Sequence, residues 1–113
     1  MEHRTERLDR IAQRLAHAPR FVWRPGMLAR DTTGFWMRGK PQSAAMFPDL
    51  TDPPTIGCLA ATVIEIYCEA EQLQMTRNSD HTWSAVLDAG SATQQFSADS
   101  FAELLALLIE AAP

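Results

Sequence analysis

The sequence predicts an α+β fold: a basic N-terminal helix and a small β-hairpin, then a helix, a three-stranded antiparallel sheet and a helix stacked as α/β/α layers. Three observations carry this expectation. Apolar residues recur at helical spacing in three stretches, they alternate in three short runs between the last two of these, and both of those last helices open on a capping signature. With 113 residues, 46% of them hydrophobic, the chain has single-domain size and can build a core without disulfides.

From Glu2 to about Ala18, Leu8, Ile11, Ala12 and Leu15 form one stripe, with Arg4, Arg7, Arg10 and Arg14 on the remaining face. Thr5 is placed to cap the first turn. Pro19 ends the helix, because the residue before a proline is pushed out of the α region. Extended chain follows: Phe21-Val22-Trp23, a type II turn at Arg24-Pro25-Gly26-Met27, then Leu28-Ala29, a polar turn at Asp31-Thr32-Thr33-Gly34, and Phe35-Trp36-Met37-Arg38. A small hairpin is the expected result. The next stretch has two prolines and no period, so a linker over 41–51 is expected between a subregion at 1–40 and a core at 52–113, within one compact domain.

Asp52-Pro53-Pro54 starts the second helix, an Asp cap followed by prolines where no N–H partner is lost. Ile56, Leu59, Ala60, Val63 and Tyr67 line its face, widened by Ile64 and Ile66, and it is expected to reach about Ala70. Gly57 costs this helix roughly 1 kcal/mol against Ala, which suggests close approach by another backbone. Leu73 and Met75, then Trp83, Ala85 and Leu87, then Ala92, Gln94 and Phe96 mark one face of three strands in a meander, joined by turns at 78–81 and 88–91. Ser100-Phe101-Ala102-Glu103 is a capping box opening a helix that buries Phe101, Leu104, Leu105, Leu108 and Ile109.

Leu50-Thr51-Asp52-Pro53, Ile56-Gly57-Cys58-Leu59, the Trp83 strand and the Ser100-Phe101-Ala102-Glu103 start together resemble the phage ABA sandwich domain, a family of small phage and prophage proteins. The resemblance covers residues 48–112, and 20–28 more loosely through Phe21-Val22-Trp23-Arg24-Pro25-Gly26-Met27. It implies a fold and a phage or prophage origin. The shared motifs are structural, and the resemblance implies no reaction.

Charge is split along the chain. Residues 1–40 hold nine Lys and Arg against four Asp and Glu, or +5, and residues 41–113 hold one against ten, or −9, summing to the net −4. A partner, another subunit or the chain's own acidic face must therefore meet the basic segment. No run approaches the roughly 18 to 20 apolar residues of a membrane span, and the N-terminus lacks the apolar stretch of a signal peptide. Cys58 and Cys68, ten residues apart on one helix, stand about 15 Å apart. Such thiols cannot bridge each other and suit a reducing cytoplasm.

Catalytic signatures are absent. Asp80-His81 lies in a turn where neighbours point apart, no serine sits in a Gly-x-Ser-x-Gly elbow, and the five glycines never cluster as a phosphate loop. Glu65, Glu69 and Glu71 read as a solvated acidic face, and no Cys or His pair has metal spacing. No catalytic residue, cofactor or metal is expected.

Arginines and aromatics concentrate before residue 48, where Phe21, Trp23, Phe35, Trp36 and Phe47 lie, and these residue types favour interfaces. The expected function is non-catalytic protein–protein binding by a phage- or prophage-encoded accessory protein acting on a host or phage protein in the host cytoplasm. Host-defence inhibitors such as anti-CRISPRs are one subclass. Its expected contact residues are Arg4, Arg7, Arg10, Arg14, Arg20, Arg24, Trp23 and Trp36. One alternative is a nucleic-acid-associated module with the arginines on phosphates, which a pI near 5.2 disfavours. Another is a self-assembling structural or morphogenesis protein, a homo-oligomer with the basic part of one subunit on the acidic part of the next.

Overall fold

The computed structural model describes residues 3–41, 43–67, 72–88 and 92–112. Its elements run α1 (His3–Ala16), β1 (Leu28–Arg30), β2 (Trp36–Arg38), β3 (Phe47–Pro48), α2 (Pro53–Ile66), β4 (Gln72–Arg77), β5 (Trp83–Asp88), β6 (Thr93–Ala98) and α3 (Phe101–Ala111). The class is α+β, and from residue 52 onward the order helix, three strands, helix is the expected one.

α1 already includes Thr5, so that residue lies in the first turn and does not cap it. Tight i to i+3 bonds from His17 N–H to Arg14 C=O and Ala18 N–H to Leu15 C=O close the helix ahead of Pro19. In α2, Asp52 accepts from Thr55 N–H at 3.1 Å, and Pro53 and Pro54 occupy the first two positions. The helix closes on Tyr67, whose N–H bonds Val63 C=O. The further turn expected to Ala70, and with it Cys68, Glu69 and Glu71, lies outside the described residues. At α3, Ser100 Oγ accepts from Glu103 N–H at 3.2 Å, and Glu103 returns a bond to Asp99 N–H at 3.1 Å, one residue before the usual partner.

The expected hairpin forms, with Leu28↔Arg38, Ala29↔Met37 and Arg30↔Trp36 paired antiparallel. The Pro25-Gly26 turn is closed by Met27 N–H on Arg24 C=O at 3.2 Å, with Gly26 at φ 97° where a side chain would be strained. Phe21-Val22-Trp23 joins no strand. The expected linker at 41–51 is a correction: Met46, Phe47, Pro48 and Leu50 are buried, and β3 pairs with β1 to complete a sheet ordered β2-β1-β3. A two-residue strand has no period to read. Its proline is tolerated because an edge strand needs only one side of its backbone bonded. Leu8, Ile11, Leu15, Met27, Phe47 and Leu50 share one core with Leu59, Val63, Leu104, Leu105 and Leu108, so the chain is divided in charge and not in packing.

The second sheet is ordered β4-β5-β6. Its register places Leu73, Met75, Trp83, Ala85, Leu87, Phe96 and Ala98 on one face, and Gln74, Thr76, Ser84, Val86, Gln95 and Ser97 on the other. α3 covers the apolar face and packs in turn against α1 and α2. The layers stack as sheet, α3, then α1 with α2. Apart from Val86 the outer face is polar, so it offers little apolar surface to a second helix layer.

No backbone approaches Gly57: a Cβ built there meets nothing within 4 Å, contrary to the expected close contact. Gly57→Ala is therefore expected to raise stability by about 1 kcal/mol, read as a higher urea midpoint at unchanged slope. A lowered midpoint would reveal a contact at that position.

Candidate partner-binding surface

The apolar stripe Leu8, Ile11, Ala12 and Leu15 is buried, which docks α1 on α3 and β3 and carries its arginines to acidic side chains. Arg7 pairs with Asp99 and with Glu103, the latter at 3.2 Å. Arg14 Nε reaches Glu110 Oε2 at 3.4 Å, while Glu110 Oε1 is buried with no partner, so this pair is the least well matched. Arg24 donates to Thr62 Oγ1 at 2.8 Å and meets Glu65 at 2.7 Å. Arg30 pairs with Asp9 and, at 3.6 Å, with Asp49, its guanidinium 5.4 Å over the Phe47 ring. Arg38 forks onto both oxygens of Asp52 at 3.2 Å and donates to Gly26 C=O at 2.8 Å.

Six of these seven ion pairs join a residue before position 41 to one after it. The chain's own acidic face thus meets the basic segment. Two buried threonines strengthen the junction: Thr55 Oγ1 accepts from Leu28 N–H and donates to Asp52, both within 2.8 Å, and Thr62 holds Arg24. The Arg38 fork, with Thr55 assisting, holds the Asp52 carboxyl below its ordinary range.

Among the other expected contact residues, Arg4 has its side chain outside the described residues. Arg10 is exposed and lines a surface groove of about 400 Å³ with Arg7, Arg14, Ser97, Glu103 and Leu107. Arg20 lies close enough to Tyr67 for its charge to act on that phenol, whose hydroxyl donates to Leu108 C=O at 2.6 Å. Burial pushes the Tyr67 phenol up, and Arg20 opposes this. Trp23 is half-buried and packs edge-on to Phe21 at 5.1 Å between centroids. Trp36 alone of the two tryptophans stands out, 63% exposed.

Trp36 has a companion absent from the expected contact set. Phe35 beside it is 60% exposed, and a built turn holds the pair. Asp31 Oδ1 accepts from Thr33 N–H, Thr33 Oγ1 and Phe35 N–H at 2.6 to 3.2 Å, and Gly34 follows at φ 93°. The Thr33 hydroxyl keeps the Asp31 carboxyl low. Asp31 N–H bonds Phe35 C=O and Gly39 N–H bonds Met27 C=O, so by ladder alternation Phe35, Met37 and Gly39 face β1. Trp36 and Arg38 turn their backbone groups to the open side of β2, an edge strand.

The remaining motifs are occupied locally. Asp80 Oδ1 accepts from Thr82 N–H and Oγ1, while His81, at φ 70°, sets Nδ1 2.9 Å from Arg77 Nη2. They form no dyad. Cys58 is a free thiol whose Sγ lies 3.6 Å from Pro25 C=O. Among the described residues, no three His, Cys, Asp or Glu side chains group as metal ligands, and no helix is long and apolar enough to cross a membrane. Comparison of the chain with protein-family models, with curated proteins and with solved structures found no match.

Two outcomes test this electrostatic junction. Arg7→Ala leaves the Glu103 carboxylate, 5% exposed, without its guanidinium, and is expected to cost about 2 kcal/mol by denaturant unfolding. Arg14→Ala, removing an exposed pair, is expected to cost about 0.5 kcal/mol; equal losses would contradict the assignment. Asp52, lowered in the folded state, stabilises above its unfolded pKa of about 4 and loses that contribution as pH falls through the folded value. Asp52→Asn keeps the cap, so its deficit of up to about 1 kcal/mol at pH 7 should close on acidification below about pH 4. A deficit constant from pH 7 to 3 would place the effect elsewhere.

Proposed function

We propose that this chain is a non-catalytic protein-binding module that takes an extended segment of a partner protein along the edge of β2, with Trp36 and Phe35 as its anchors. The observation carrying this reading is an exposed aromatic pair on a turn already fixed by Asp31, beside backbone groups with no strand opposite them among the described residues. A partner strand added there would gain main-chain bonds for affinity and an aromatic contact for specificity. Because the turn is ordered beforehand, little entropy opposes docking. Tryptophan is also the residue type that most often dominates binding energy at an interface.

The setting we propose follows the resemblance to the phage ABA sandwich domain: an accessory protein of phage or prophage acting on a host or phage protein in the host cytoplasm, host-defence inhibition of the anti-CRISPR kind being one such role. Of the arginines the nucleic-acid alternative would set on phosphates, Arg7 and Arg14 already hold carboxylates of the same chain. This favours a protein partner over nucleic acid.

Affinity capture from host lysate, with and without nuclease, tests the reading by comparing wild type with Trp36→Ala. A nuclease-resistant protein should be retained and then bind Trp36→Ala about 30-fold more weakly, the roughly 2 kcal/mol of a binding hot spot. Retention indifferent to Trp36→Ala, or recovery of nucleic acid alone, would overturn it.

A further inference from the structure

β4, like β6 at the opposite side, is an edge strand of the second sheet. β5 occupies one of its sides, and among the described residues no strand occupies the second. The ladder with β5 continues into the turn, where Asn78 N–H donates to Thr82 C=O at 2.8 Å. Backbone bonding alternates along an antiparallel pair, so Asn78, Thr76 and Gln74 direct their polar groups to β5. Leu73, Met75 and Arg77 direct theirs outward.

Edges of this kind are usually blunted by extreme shortness, a proline, a bulge or an inward charge. β4 has six residues in an unbroken register and contains no proline. Its one charge, Arg77, stands at the end of the strand beside His81. The apolar side of the strand is incompletely covered, with Met75 37% exposed and Leu73 half-buried. By contrast β2 is three residues long, and at β6 Ser97 shares a groove with the arginines of α1.

We propose that β4 is a self-association edge: two copies pair their β4 strands antiparallel about a two-fold axis at Met75, merging two three-stranded sheets into one of six strands. The strand is self-complementary in that register. Met75 meets its counterpart, Leu73 lies opposite Arg77 of the second copy, and Gln74 lies opposite Thr76. An axis through a residue keeps the apolar faces of both sheets on the same side, so Leu73 and Met75 gain cover while Gln74 and Thr76 exchange hydrogen bonds on the polar side. The three outward-facing residues of each copy form hydrogen-bonded pairs with those of the other. The two Arg77 side chains stand at opposite ends, roughly 13 Å apart along the strands, so like charges do not meet. A closed two-fold contact of this type uses one surface twice and leaves no edge for further growth on that side. The Phe35 and Trp36 surface takes no part in it.

Sedimentation equilibrium of the intact chain tests the proposal. Wild type should show twice the monomer mass, and Met75→Pro and Met75→Lys should weaken self-association at least about 10-fold. Proline at 75 removes an outward N–H and leaves every bond to β5; should that variant fail to fold, Met75→Lys carries the test. Amide hydrogen exchange gives the register: Leu73, Met75 and Arg77 should become protected as concentration rises, while Gln74 and Thr76 are protected throughout. A wild-type chain still monomeric at about 1 mM would overturn the proposal. So would a folded Met75→Lys chain that remains dimeric, or a dimer in which the amides of 73, 75 and 77 exchange freely.

Discussion

Apart from Glu103 and Glu110, which the arginines of α1 take, α3 has no polar side chain to turn to water. Of its eleven residues, Ala102, Glu103, Leu104, Leu105, Ala106, Leu108 and Ile109 are buried, and a helix apolar around most of its circumference must be enclosed. Everything else in the fold is an answer to that requirement. The β4-β5-β6 sheet takes one side of α3, α2 a second and α1 a third. The first sheet then closes the core around Met27 and Phe47, both almost fully buried. The N-terminal segment is consequently part of the body of the protein, since its removal would bare the flank of α3.

The magnitudes separate what holds α1 from what orients it. Burying a leucine or isoleucine stabilises by about 1.5 to 3 kcal/mol, and α1 buries Leu8, Ile11 and Leu15. A half-exposed ion pair contributes about 0 to 1 kcal/mol. The stripe therefore supplies the attraction and the arginines select the rotation, because Arg7 and Arg14 reach Glu103 and Glu110 only when the stripe faces α3. Arg7 has a further duty, to neutralise the buried Glu103 carboxylate that also bonds Asp99 N–H. The charge division so conspicuous in the sequence is the imprint of an intramolecular contact.

Where a local rule decides the structure, the sequence was legible. Asp52-Pro53, the Pro25-Gly26 turn and the alternation of Trp83, Ala85 and Leu87 each determine their own geometry and appear as read. Ser100 caps α3 as read, while Glu103 bonds Asp99 N–H in place of the Ser100 N–H. Elements settled by distant neighbours were not legible. Phe47-Pro48 is a strand only because β1 lies beside it, and Gly57 reads as a packing device when nothing packs there. Among the surface residues, Arg7, Arg14 and Arg24 were expected to face a partner and instead face carboxylates of the same chain. Phe35 was named among the aromatics but left out of the expected contact set, because its exposure follows from the Asp31 turn, a matter of side-chain hydrogen bonds and not of periodicity.

Among the described residues, the edges of β2, β4 and β6 and the exposed Phe35 and Trp36 remain open on the surface, features suited to contacts between proteins. The central claim beneath that reading is that α1 belongs to the core and is not a free basic arm. Amide hydrogen exchange on the intact chain tests it most directly. If α1 is a wall of the core, the amides from Leu8 to Leu15 exchange only with global unfolding, at the same free energy as those of α3. Exchange of those amides by local opening, while α3 stays protected, would contradict the account and return the arginines to solvent.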